Sequence, residues 1–475
     1  MKSLSPVLNL LIVLLAAAII VVASVALVRL ARHAAMGRSA NGVYNVRNFG
    51  AMGNAVHPDA AAINRAISAC SGYGGGTVLI PPGKYLCGTV LLKSNVTLHL
   101  QKGAEIFGSP HLTDYAKVDP FVDGDGQSFG YCLIGAAGAR NIGITGHGTV
   151  NGDGVGFNGD RPFLVRLADC RGVTVRNVRL TQSAAWGLNL YHCRTVLVSH
   201  VTIYNHANYN NDGIDIDSSE LVRIVHCNIN SEDDCICFKT TTRAPCCHIR
   251  VRDCRLSSLC AAVKFGSESR GTFSDIHVRD CHAYDTRLGG IKILCMDGGH
   301  IHNVRFDNFS MRNVDMPIFI RLGARLGTFH PGQKPEKPGS ISNIVIRNVT
   351  ATACNQGHLL FPTGIFITGI PQDKIGSVVL DNVQMTLTGG AAASDAHVHV
   401  PEVISEFPDF YLFSKYFPAY GMFARHVRNL RLNHVDFHLE LPDGRPAIVC
   451  QDVSHVVWNQ APAPVFQTIP PAAHQ

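Results

Sequence analysis

Charge is the scarcest property of this sequence: Asp, Glu, Lys and Arg make up 16% of its 475 residues, where roughly 25% is ordinary for a soluble domain. The balance of 41 basic against 35 acidic residues is a formal +6, with no long Lys/Arg block, so nucleic acid has little support as a partner while an acidic glycan stays open. There is no CxxC pair among the 16 cysteines, which disfavours a zinc ribbon. There is no HExxH among the 23 histidines, which leaves a zinc hydrolase unsupported. Long runs of helical period are also missing, and this excludes a helical bundle. A hydrophobic content of 46% excludes a disordered polymer, and 45 glycines suit a fold of short strands and tight turns.

Residues 7–28 form an almost unbroken apolar run, preceded by Lys2 and followed by Arg29, Arg32 and Arg38. Its length exceeds the 7–15 residues of a usual signal core and reaches the roughly 20 residues that span a bilayer. A cleaved export signal and an uncleaved membrane anchor both remain open for residues 1–40, and either takes the rest of the chain out of the cytoplasm. Residues 461–475 contain four prolines and no periodicity, and are expected to be a frayed tail.

Between these ends lies a repeat. Short β-branched segments recur around positions 200, 227, 254, 281 and 308, a spacing of 27 residues, with related segments near Val173, Ile344 and Val378. Each repeat holds two or three apolar stretches of three to five residues separated by Gly, Asn or Asp, too short for a strand-helix-strand unit and suited to one coil of a solenoid. The expected fold is an all-β, single-stranded, right-handed parallel β-helix over residues 41–460. Cys227, Cys254 and Cys281 should stack as a column continued by Asn308. The amphipathic segment from Ala60 to Ile67 should cap the first coil, and residues 328–339 read as an inserted loop.

One cluster of residues carries chemistry. Asn210-Asn211-Asp212-Gly213-Ile214-Asp215-Ile216-Asp217 is followed by Asp233-Asp234, and Asp212 precedes these two acids by 21 and 22 residues, close to one coil. Acids stacked on one face push at least one carboxyl pKa upward, the condition for general acid catalysis. Inverting glycoside hydrolysis needs one carboxylic acid on the leaving oxygen and a carboxylate holding water. On this logic Asp233 is the proton donor and Asp212 and Asp234 activate the water. Asp215 and Asp217 read as supporting residues. A divalent-cation site is the competing reading of the same acids.

These residues resemble glycoside hydrolase family 28, the polygalacturonase-like family, from near Tyr44 to beyond Ile448. Asn48-Phe49-Gly50-Ala51, Gly74-Gly75-Gly76-Thr77-Val78 and Pro81-Pro82-Gly83 are similar to its entry segment, Asn210-Asn211-Asp212 to its Asn-Thr-Asp motif and Asp233-Asp234 to its Asp-Asp motif. Two motifs depart. The family's Gly-His-Gly aligns with Cys260-Ala261-Ala262, and its Arg-Ile-Lys with Gly290-Ile291-Lys292, while Gly146-His147-Gly148 lies too early in the chain to replace the lost histidine. The resemblance implies catalytic roles for Asp212, Asp233 and Asp234, substrate contacts from Asn210 and Lys292, and no cofactor or catalytic metal. Lys264, Arg287 and Glu268 lie near the defects as candidate replacement contacts. Phe417-Pro418-Ala419-Tyr420-Gly421-Met422 and Arg425-His426 are similar to bacterial members that also lack the histidine, which favours exo or rhamnogalacturonan-directed action over endo-polygalacturonase action. The expected protein is a monomer acting on pectic or other uronic-acid glycans. Its rivals are a β-helical lyase using Ca²⁺ and a non-catalytic glycan-binding surface solenoid.

Overall fold

The computed structural model describes residues 14–24, 42–124, 126–354, 357–460 and 462–467. Residues 14–24 are an exposed helix, and among the described residues no helix is long and apolar enough to cross a membrane. The rest of the apolar N-terminal run lies outside the described residues, as do 468–475 of the tail.

From Val43 onward the chain winds as a parallel β-helix, each strand pairing with its equivalent one coil away. Strand alternation sends every second side chain inward, and the register stacks those side chains into continuous apolar columns. One column runs Val175, Val198, Ile224, Val251, Val278, Phe306, Ile346, Leu380 and Leu432. A second runs Val165, Leu188, Ile214, Ile236, Val263, Ile291, Ile318 and Ile365. A third runs Leu180, Ile203, Ile229, Leu256, Ala283 and Met311. All belong to one buried core. The helix Ala60–Gly72 covers the first coils with Ala62, Ile63, Ala66, Ile67 and Cys70, as the solenoid's exposed end requires.

The coil length is not uniform. In-register positions Thr202, Asn228, Arg255, His282 and Ser310 are separated by 26, 27, 27 and 28 residues, and the next coil, His300 to Ser340, takes 40 because residues 323–339 are inserted. The drift corrects one expectation. Cys281 pairs with Phe309, so the cysteine column continues into an aromatic residue. Asn308 belongs instead to a turn ladder of His200, His226, Asp253, Asp280, Asn348 and Asn382, all with φ between 53° and 55°. Short polar side chains tolerate that left-handed conformation, and the Asn308 amide donates to Asp280 Oδ1 at 2.7 Å. The tail also departs from expectation, since Val465–Gln467 forms a final parallel strand on Ile448–Asn459. All sixteen cysteines are unpaired thiols, fourteen of them buried, in keeping with a role as small apolar filler.

Two further excursions leave the solenoid on the outer face that carries the 323–339 insertion, where Val122 N donates to the Phe329 carbonyl at 3.3 Å. The hairpin Ala116–Val122 with Ser128–Ala137 is antiparallel and is pinned by buried Arg166, which donates to the carbonyls of Val118 and Asp119 at 2.8 and 2.6 Å. Residues 388–421 form a long loop held by Phe410, Phe413 and Phe417. Phe413 lies edge-on to Phe366 at 5.0 Å, and Phe319, Phe366 and Phe423 stack through successive coils at 5.3 and 5.6 Å.

Candidate active site

One outward-facing column explains where the site lies. In register order it reads Arg166, Asn189, Asp215, Cys237, Lys264, Lys292, Phe319, Phe366 and Phe423. Its first members lie under the hairpin and its aromatic members under the long loop. Between them is a pocket of about 200 Å³, lined by Asp212, Asp233, Asp234, Lys264, Lys292 and Asp409 among others.

Asp212 and Asp234 each stand two residues before one of a pair of strands, Ile214–Asp217 and Ile236–Thr240. Ile214 is in register with Ile236, and Gly213 N donates to the Asp234 carbonyl at 2.8 Å, so the two acids stand one coil apart on one face, as their spacing predicts. Asp212 is 2% exposed and Asp234 1%. Asp233 is half-buried at the rim, its Oδ1 accepting from Asp234 N at 2.8 Å and its Oδ2 from Asn210 Nδ2 at 3.5 Å. Asn210 is itself held by Arg161 Nη2 at 2.8 Å and Gln127 Nε2 at 3.2 Å. Asn211 fixes the turn by donating to the carbonyls of Ser183 and Ala185 at 2.8 and 3.0 Å.

Burial, then the like charges of Asp215 and Asp233, pushes Asp212 well above the usual carboxylate range. Burial raises Asp215 to about 7 despite the opposing charge of Lys239. Burial also raises Asp234, with Lys264 working against it from 2.7 Å. Carboxyls that interact this closely titrate as a set rather than one by one.

The two damaged motifs have structural counterparts. Ala261 follows Asp234 in register and its N–H donates to Asp234 Oδ1 at 3.2 Å, so the methyl group stands where the aligned histidine would be, and the Lys264 ammonium supplies the partner to Asp234. Gly290 turns toward the core. A Cβ there would meet Met311 Sδ at 2.3 Å and Val314 at 3.3 Å, so an arginine at this position could not be directed into the pocket without moving the core. Lys292 reaches the pocket, but its ammonium donates to Asp409. Glu268 also lines it, paired with Lys239 at 3.2 Å and accepting from Gly124 N at 2.9 Å. Burial would raise Glu268, yet Lys239 and Arg325 outweigh it and lower its pKa to about 2.

Other expected residues lie elsewhere. Arg287 is exposed and does not line the pocket, although its neighbour Leu288 does. His147 is exposed on another part of the solenoid. Arg425 is buried, donating to the carbonyls of Val400 and Pro401 at 2.7 and 2.6 Å, and His426 contacts Asp452 and Glu402, so both secure the long loop. Lys239, Trp186, Asp123 and Asp409 line the pocket without having been anticipated. Lys239 was within reach of strand alternation, since it is in register with Asp217.

The cation reading fits this chemistry poorly. Asp212, Asp234 and Cys237 bring one ligand atom each within 4.8 Å of one another. The Cys237 thiol, however, donates to the Gly266 carbonyl at 3.0 Å, burial keeps it protonated, and Lys264 already neutralises Asp234. A hard divalent ion prefers oxygen ligands in greater number.

Stacked carboxylates flooring a pocket on the outer face of a parallel β-helix define a solenoid protein equipped for acid/base chemistry. Its family follows from comparison: the model for glycosyl hydrolases family 28 matches residues 70–399, and the chain belongs to that family. A probable polygalacturonase of Vitis vinifera is 30% identical over 212 residues, 41% of this chain and 43% of that protein, so the match spans less than half of the relative's length. The family 28 exopolygalacturonase of Yersinia enterocolitica aligns structurally with a TM-score of 0.68 at 21% identity, covering 86% of this chain and 78% of that one. The exopolygalacturonase of Thermotoga maritima aligns with a TM-score of 0.62 at 21% identity, covering 72% and 87%. At these identities the structural likeness concerns the fold.

Proposed function

We propose that the protein is an inverting glycoside hydrolase acting on glycosidic bonds of pectic polysaccharide, outside the cytoplasm, and that it works from a chain end. The observation that carries this reading is the stacking of Asp212 and Asp234 one coil apart with Asp233 at the rim of the same pocket. Asp233, the most exposed of the three, gives a proton to the leaving oxygen. Asp212 and Asp234 hold the water. Oδ1 of Asp212 has no hydrogen-bond donor among the described residues, which leaves that oxygen available to a water. Exo action is supported by the hairpin and the long loop, which wall the pocket on both sides along the solenoid axis, and by the likeness in fold to the exopolygalacturonases of Yersinia enterocolitica and Thermotoga maritima.

The test is Asp233→Asn assayed on galacturonan and rhamnogalacturonan oligosaccharides. Turnover should fall by roughly 10²–10⁴-fold with an unchanged circular dichroism spectrum, and NMR of the first-formed product of the unaltered enzyme should show inversion and monosaccharide release. Full activity of the variant, or a product of retained configuration, overturns the assignment.

A further inference from the structure

Every lysine that lines the pocket already has a carboxylate. Lys264 holds Asp234 at 2.7 Å, Lys239 holds Glu268 at 3.2 Å, and Lys292 holds Asp409. The lining contains six carboxylates against three lysines, so even with a proton on Asp212 the acids remain in excess. The Lys292 pair stands apart from the other two, because Asp409 comes from the long loop and lies 117 residues away in sequence. It is delivered by Phe410, fully buried against Phe319 at 6.1 Å, and Phe319 follows Lys292 in the outward column. The loop thus inserts a carboxylate onto the one lysine of the column that, among the described residues, no other acid holds. Lys292 and Asp409 side chains are 2% and 5% exposed.

Resting on the hydrolase reading above, we propose that Asp409 determines specificity: it takes the place on Lys292 that the carboxylate of an acidic sugar would need, and the pocket therefore accepts a neutral sugar residue. Among the described lining residues an incoming uronate would find no unpaired lysine and an excess of like charge around it, the repulsive element that rejects a competitor. A neutral sugar can use the same groups through hydroxyl hydrogen bonds.

The probe is an α-1,4-linked oligogalacturonide and its carboxyl-reduced counterpart, which differ only at C6. The unaltered enzyme should turn over the reduced oligosaccharide with at least tenfold higher kcat/KM, and Asp409→Asn should move that ratio at least tenfold toward the acidic one, chiefly through KM. Preference of the unaltered enzyme for the acidic oligosaccharide, or a ratio unmoved in a folded Asp409→Asn, overturns the proposal. Binding of galactose against galacturonate to the unaltered protein, by calorimetry, decides the matter without any variant or turnover. Tighter galactose binding supports the neutral pocket, and tighter galacturonate binding sinks it. Loss of the hydrolase reading would look different, as absence of cleavage of both oligosaccharides with this binding preference intact.

Discussion

Replacing Lys264 by Met should convert the ion pair with Asp234 into an isolated buried acid while preserving most of the side-chain volume. At 2.7 Å the lost attraction is about 6 kcal/mol for an effective dielectric near 20. Asp234 escapes that cost by taking up a proton, which sets a ceiling. Holding a carboxyl of ordinary pKa near 3.9 neutral at pH 7 costs about 4 kcal/mol, and at pH 5 about 1.5 kcal/mol. Burial already raises Asp234 in the unaltered protein, so the extra loss lies below these ceilings. The sign follows from a folded-state pKa above the unfolded one: stability is retained below the unfolded value and lost as pH rises toward the folded one. Denaturant unfolding at pH 5 and pH 7 should therefore show the variant weakened more at pH 7. The acidic limb of kcat/KM should move upward, since the water-activating carboxylate ionises later. Equal destabilisation at both pH values, or an unmoved limb, refutes the assignment of Lys264 as the partner that keeps Asp234 charged.

Asp215→Asn removes the like charge that is the second cause of the Asp212 shift, so the acidic limb of the pH–rate profile should move down, and an upward move would count against the cluster's coupling. Phe410→Ala should remove an anchor worth roughly 3–5 kcal/mol, loosening residues 388–421. Limited proteolysis should then cut within that segment while the coils stay intact, and an unchanged digestion pattern would mean the aromatic anchor is not what holds the loop.

The solenoid could be read from sequence because a stacked core repeats its demands once per coil, as the run from Val175 to Leu432 illustrates. Asp212, Asp233 and Asp234 were equally accessible, since a separation close to one coil is a statement about register. Asn308 was misplaced because a fixed period of 27 cannot follow coils of 26 to 28 residues. Gly290 shows a second limit: the letters align with a motif, yet the local backbone turns that position toward Met311. Arg287 failed similarly, being outside the pocket while the adjacent Leu288 lines it. Asp123 and Asp409 left no trace, because each arrives on an excursion whose docking is set by tertiary packing and carries no periodicity.

The division between what repeats and what does not also explains why the pocket is where it is. Strand alternation gives every coil an outward residue in the column from Arg166 to Phe423, so the scaffold by itself offers a long strip with no preferred point. The excursions select one. The hairpin covers the strip where Arg166 can satisfy its carbonyls, the long loop covers it where Phe319, Phe366 and Phe423 supply an apolar seat, and the coils between carry Asp215, Cys237, Lys264 and Lys292. The stacked aspartates sit beside strand ends fixed by the core, whereas Asp409 sits on a loop fixed by three phenylalanines. Substitutions in the loop can therefore change which sugar fits while the stacked aspartates keep their geometry, because the loop's aromatic seat lies on the outer face and leaves the inward columns of the adjoining coils undisturbed.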